Sequence, residues 1–167
     1  FIDCTFGGGG YSNEILKFPD TQVIAFDRDN LTKKYATKLE RKFPKRFIFF
    51  EKKFSNLTST INFETNPKAI IFDLGLSSFQ LSDNKRGFSF KSKNFLNMEM
   101  GINEVTAYNV VNNFDKEYLE KIIKVLGEEK DSKKIVNRII KYRQNKPIKT
   151  SDELAKIIHE TKKNYNK

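Results

Sequence analysis

Four short apolar runs, separated by stretches with helical patterning, set the strongest limit on what this chain can become. Residues 1–6, 23–27, 47–51 and 69–74 read as strands. The second run, Val-Ile-Ala-Phe-Asp, is apolar at successive positions, as a strand covered on both faces is. Glycines 7–10 lead from the first strand straight into a helical pattern that ends near Phe18. Residues 31–43 form a basic amphipathic helix, and 54–63 a loop with a short helix. The order β-α-β-α-β-α-β predicts a doubly wound α/β sheet of Rossmann type.

Beyond about Asn103 the pattern changes to three helices and no strand. Asp115 opens the first, whose Tyr118, Leu119, Ile122, Ile123 and Leu126 make one apolar stripe. Asp131 or Ser132 opens the second, with Ile135, Val136, Ile139 and Ile140 inward. Thr150-Ser-Asp-Glu153 is a capping box for the third, whose Leu154, Ile157 and Ile158 face the core. The expected division is an α/β part over 1–102 and an all-helical subdomain, appended or inserted, over 103–167. Four strands of a buried type of sheet would leave the fourth as an open edge, which natural sheets avoid. Both ends therefore read as cut, with further strands expected after residue 167.

Composition excludes several chemistries. The longest apolar runs (23–26, 47–50 and 69–72) are far below the roughly 20 residues that cross a bilayer. No signal peptide is read either, so no membrane partner is expected. Cys4 and His159 are the only residues of their kinds, which removes an intramolecular disulfide, most histidine-based triads and Cys/His zinc sites. No metal site is expected. The net charge of +10 favours an anionic partner such as nucleic acid. The excess is mostly lysine, however, and lysines on solvated faces account for it equally well.

Three segments carry candidate chemistry. In Asp3-Cys-Thr-Phe-Gly-Gly-Gly-Gly-Tyr-Ser12, a strand enters a glycine run and then a helix, which lets backbone approach a ligand closely. Gly7 and Gly9 fit a dinucleotide fingerprint, but Ser12 stands where its third glycine belongs. The alternative is a plain turn. Asp27 ends the second strand, where a carboxylate can take both hydroxyls of a ribose. One of Asp27 and Asp29 should cap the next helix, and Asp29 suits that position better. The third segment is Asp73-Leu-Gly-Leu-Ser-Ser-Phe-Gln-Leu-Ser-Asp83, followed by Arg86-Gly-Phe-Ser-Phe90. It leaves the carboxyl end of the fourth strand, the edge where open α/β sheets hold ligands. Arg86 beside Phe88 and Phe90 offers a phosphate contact next to rings that stack a base, or two ordinary core rings.

These segments, with Ile24-Ala-Phe-Asp-Arg-Asp, Leu96-Asn-Met-Glu-Met, Leu126-Gly-Glu-Glu and Pro147-Ile-Lys-Thr-Ser-Asp-Glu-Leu-Ala, resemble the bacterial 16S ribosomal RNA cytosine-N4 methyltransferases, the MraW family. The resemblance runs over nearly the whole chain, and its 73–90 stretch is the distinctive part. It implies an S-adenosylmethionine-dependent enzyme that methylates the exocyclic N4 of one cytosine of the small ribosomal subunit. By position, the family's cofactor contacts fall on Gly9, Gly10, Tyr11, Asp27, Phe54, Asp73 and Gln80. The family usually has His where this chain has Tyr11. Residues 103–167 resemble its helical substrate-placing subdomain, while its C-terminal motif is not found. A cytoplasmic location follows from that substrate.

A cytosine N4 is a poor nucleophile, so catalysis should consist of aligning it and accepting hydrogen bonds from its N–H groups. Asp73 or a nearby backbone carbonyl is expected in that role, with Ser77 or Ser78 assisting. Lys85, Arg86, Lys91 and Lys93 would grip phosphates flanking a flipped base, and Phe88 or Phe90 would stack it. The rival readings are a DNA amino-methyltransferase, an NAD-dependent dehydrogenase-type domain, and a truncated, inactive RNA-binding remnant. The dehydrogenase reading leaves 73–90 without a use.

Overall fold

The computed structural model describes residues 1–62, 66–101 and 105–163. The chain divides into two compact units, Phe1–Phe79 with Met100–Asn103, and Gln80–Glu99 with Glu104–Lys167. The boundary expected between residues 102 and 103 lies outside the described residues, as does Phe63 of the third connection. The stretch 80–99 belongs with the helices.

The first unit is a four-stranded parallel sheet. Strands β1 (Ile2–Asp3), β2 (Val23–Asp27), β3 (Phe47–Glu51) and β4 (Ile70–Ile71) lie in the order β3-β2-β1-β4. Register pairs Ile2 with Ile24 and Ile70, and Asp3 with Ala25 and Ile71. Alternation along β2 divides its side chains between two apolar clusters. Val23 and Ala25 pack with Phe6, Leu16, Ala36 and Leu39, under α1 (Gly10–Leu16) and α2 (Lys33–Lys42). Phe26 packs on the other face with Ile2, Cys4 and Ile61, beside α3 (Leu57–Thr60). Successive apolar residues are thus both buried, as a strand covered on both sides requires. Arg46, just before β3, donates to the carbonyls of Leu16 and Phe18 and closes the end of α1.

The progression of strands reverses between β1 and β4, so the crevice at their carboxyl ends is the switch point of the sheet. β4 forms an edge, as the sequence predicts. Ile70 and Phe72 are about half exposed, and Leu74 is 70% exposed.

The second unit is helical. The short α4 (Ser78–Ser82) runs across the division between the units. α5 (Ala107–Asn113), α6 (Lys116–Lys121), α7 (Ser132–Arg143) and α8 (Ser151–Lys163) surround Leu96, Val111, Leu119, Val136, Ile139 and Ile157. Asp115 caps α6 through the Tyr118 N–H, at 2.7 Å. Thr150 accepts from the Glu153 N–H while the Glu153 carboxylate accepts from Lys149 and Thr150, which completes the expected capping box. Asp131 stands at the cap position of α7, but its carboxylate pairs with Lys134 instead of capping.

Several features differ from the sequence expectation: the strands read at 1–6 and 69–74 shorten to Ile2–Asp3 and Ile70–Ile71. A fourth helix, α5, is opened by Thr106 and Asn109 in a reciprocal capping pair. The stripe on α6 also breaks. A π-helical turn over Ile122–Leu126, closed by the Gly127 N–H on the Ile122 carbonyl, widens the spiral. One extra residue in a turn rotates the side chains after it by roughly 100°. Leu119 is buried, while Val125 and Leu126 face solvent. No helix of the described residues is long and apolar enough to cross a membrane.

Candidate functional site

The end of β1 organises the first unit. Asp3 shares the α1 face of the sheet with Ala25, its partner in register, and is fully buried. One carboxylate oxygen accepts from the Ser12 hydroxyl at 2.7 Å and the other from the Thr5 N–H at 3.2 Å. Burial pushes its pKa up, the two hydrogen bonds pull it back, and the nearby charges of Asp27 and Asp73 add to the rise. Ser12 departs from the dinucleotide fingerprint because its hydroxyl anchors α1 to this carboxylate.

The glycine run then turns sharply. Gly7 and Gly9 have φ of 54° and 80°, in the left-handed region. A Cβ on Gly9 would lie 2.7 Å from the Phe6 ring, so the turn packs directly on that side chain. At Gly8 and Gly10 a Cβ would meet nothing within 4 Å, which leaves their backbone open to an approaching group.

Asp27 joins this loop to β2. One of its oxygens accepts from the Gly7 N–H at 2.7 Å and the other from the Asp29 N–H at 2.8 Å. Desolvation raises its pKa, with the backbone N–H donors of Asp29, Gly7 and Arg28 opposing. A carboxylate has about four lone-pair sites, so Asp27 fixes the loop and still has acceptor capacity. Asp29 is fully buried and accepts from the Leu31 N–H, the capping role expected of it.

Beyond β4, the Asp73 N–H donates to the Thr5 hydroxyl at 2.8 Å, and its side chain is exposed. Ser77 lies against Gly7, its Cβ 3.8 Å from the position a Gly7 Cβ would take. The structure thus brings Gly7, Asp27, Asp73 and Ser77 around one strand end. Ser78 is exposed at the start of α4. Tyr11 is exposed on α1, and half-exposed Phe54 meets Phe72 edge-on at 5.4 Å. Cys4 is buried, with its thiol pushed up to about 11, which leaves it a poor nucleophile.

The remaining sequence candidates belong to the second unit. Gln80 is buried. Arg86 donates to the Glu99 carbonyl at 2.5 Å and lies over the Phe88 ring at 5.1 Å. Lys85, Lys91 and Lys93 are exposed, as is Phe90, with 70% of its surface open. Their segment is pinned to the helices. The Ser151 hydroxyl donates to the Gly87 carbonyl, the Asp152 N–H to Ser92, and the Leu96 N–H to Lys149.

Sequence reasoning missed Asp3, Thr5 and Ser12 as a connected set. A buried acid at a strand end with two hydroxyl residues nearby was the available signal. Among the described residues no three His, Cys, Asp or Glu side chains are grouped to hold a metal ion.

This geometry, a parallel sheet with a glycine turn and carboxylates at its switch point, places the first unit in the α/β class, where such switch points commonly hold ligands. The particular family comes from comparison. The model of the MraW methylase family matches residues 1–167, and the chain belongs to that family. It is 39% identical over 169 aligned positions to the ribosomal RNA small subunit methyltransferase H of Campylobacter jejuni (strain RM1221), covering 100% of this chain and 54% of the relative. The proteins of that name from Ehrlichia chaffeensis and Orientia tsutsugamushi (strain Ikeda) are 41% and 39% identical, over 95% and 96% of this chain and 54% and 51% of their own lengths. The chain spans about half the length of the curated relatives it matches.

Proposed function

We propose that the first unit is the Rossmann-like, S-adenosylmethionine-binding part of a methyltransferase that modifies the exocyclic N4 of a cytosine in 16S ribosomal RNA. The observation that carries the reading is the junction at the end of β1. There one acid fixes the glycine turn while retaining acceptor capacity, and a second acid leaves the adjacent strand.

The residues present suit this ligand. The open backbone at Gly8 and Gly10 admits a group that a side chain would block, and the remaining acceptor capacity of Asp27 suits a ribose hydroxyl. When bound, S-adenosylmethionine supplies an electrophilic methyl group on a sulfonium. Gly9, Gly10, Tyr11, Asp27, Phe54 and Asp73 of this unit are the proposed cofactor contacts. Tyr11 replaces the family's usual His, so a backbone contact is proposed there. Asp73 accepts a hydrogen bond from the N4 amine and holds it in line, with Ser77 or Ser78 assisting. The N4 proton is lost to solvent as the new bond forms.

The second unit serves as the substrate-recognising part and the small ribosomal subunit as its partner, in the cytoplasm. Lys85 and Arg86 would contact phosphates, and Phe88 or Phe90 would stack an unpaired base. The exposure of Phe90 beside Lys91 supports that role for Phe90 most directly.

Isothermal titration of S-adenosylmethionine, with NAD as control, tests the cofactor. Micromolar binding of the adenosyl ligand alone supports the reading, whereas binding of NAD alone favours a dehydrogenase-type domain. Methyl transfer to small-subunit RNA, compared with DNA of the same sequence, then tests the substrate. Binding of cofactor and RNA without transfer would leave an RNA-binding remnant.

A further inference from the structure

We propose that Thr5 is a positioning residue for Asp73, and that it sets the acid through a hydroxyl–amide hydrogen bond across the switch point. The functional value of that placement rests on the role proposed for Asp73 above, whereas the bond itself does not.

Apart from the ring contact of Phe72 with Phe54, the Asp73 loop has little else to hold it. β4 is two residues long and lies at the edge of the sheet. Its ladder with β1 reaches as far as Ile71, whose carbonyl accepts from the Cys4 N–H at 2.9 Å. Residues 72–76 then run exposed. Among the described residues, the one hydrogen bond made by that stretch is the Asp73 N–H to the Thr5 hydroxyl, at 2.8 Å.

Thr5 is in turn firmly placed. Its own N–H donates to the fully buried Asp3 carboxylate, which also takes the Ser12 hydroxyl from α1. A β-branched side chain has few χ1 states, so an anchored Thr5 backbone fixes where its oxygen lies. The position of Asp73 is therefore set by a buried acid on the central strand rather than by its own edge strand. Catalytic groups must be held to within about half an ångström of the productive geometry, and a loop with one tether depends on that tether.

Three readouts on Thr5→Val and Thr5→Ser test this: amide hydrogen exchange at Asp73, titration of S-adenosylmethionine, and kcat and KM for methyl transfer to small-subunit RNA. Valine keeps the branched shape and removes the acceptor, while serine keeps the acceptor. In Thr5→Val, loss of one hydrogen bond should speed exchange at Asp73 about tenfold. The amides of Phe6 and Val23, bonded to Phe26 and Arg46, should remain unchanged. The value of kcat should fall about tenfold or more while KM for the cofactor moves by less than about threefold. Thr5→Ser should restore slow exchange and most of kcat. Unchanged exchange at Asp73 in Thr5→Val overturns the proposal, and so does a serine variant as impaired as valine. A wild-type chain that binds cofactor but transfers nothing sinks the role given to Asp73, while the exchange arm still decides whether Thr5 places it.

Discussion

At the scale of single residues, the glycine turn separates fold from ligand binding. Gly9→Ala puts a side chain at φ 80° and into the Phe6 ring, so it should destabilise the chain by roughly 2–3 kcal/mol in chemical denaturation. Gly10→Ala has open space and begins α1, so stability should hold or rise slightly. Its affinity for S-adenosylmethionine should nevertheless fall, because backbone approach is lost. A Gly10→Ala chain that binds normally would remove Gly10 from the site. Asp3 gives a second contrast, through pH. Its pKa is raised in the folded state, so folding takes up a proton between the ordinary carboxylate range and the raised value. The cost of ionised Asp3 is absent at the bottom of that window and fully present above it. The Tm advantage of Asp3→Asn over wild type should therefore be larger at pH 7 than near pH 4, and an advantage that grows on acidification would contradict the assignment. The capping role of Asp29 was readable in the sequence, because a cap must stand just before the helix. The Thr5–Asp73 bond was not, since it joins residues far apart in the chain whose meeting depends on β4 lying beside β1.

At the scale of elements, legibility followed the strength of the local signal. Strands β2 and β3 were found to the residue because their apolar runs are continuous. The caps at Asp115 and Thr150 stand where cap chemistry predicts them. Thr150→Ala should lower stability by about 1 kcal/mol, read as a shift in the unfolding midpoint. The helix α5 escaped notice because Ala-Tyr-Asn-Val-Val-Asn-Asn is rich in weak helix formers. Its stability comes from outside its own sequence. Arg143 donates to the carbonyls of Val111 and Phe114 at 2.6 Å, and Asn112 bonds both backbone groups of Ile148. The π turn defeated the stripe on α6 for a different reason. Apolar spacing there fits a regular helix, and nothing local announces the extra residue.

At the scale of the whole molecule, charge governs behaviour. If a chain of net charge +10 contacts phosphates as proposed, its RNA binding should show steep salt dependence, losing about tenfold or more in affinity between about 50 and 200 mM salt. A flat profile by fluorescence anisotropy would refute the basic contact. The same charge has a colloidal consequence. β4 offers an open strand edge flanked by Phe72 and Leu74, a template on which another polypeptide can align. Mutual repulsion between copies would keep those edges apart, and its range shrinks to about 8 Å at physiological ionic strength. If RNA binds as proposed, added salt would strip the chain of its polyanion and of this electrostatic protection against clumping in the same step. Dilute, low-salt solutions, or RNA itself, are the conditions in which it should remain dispersed.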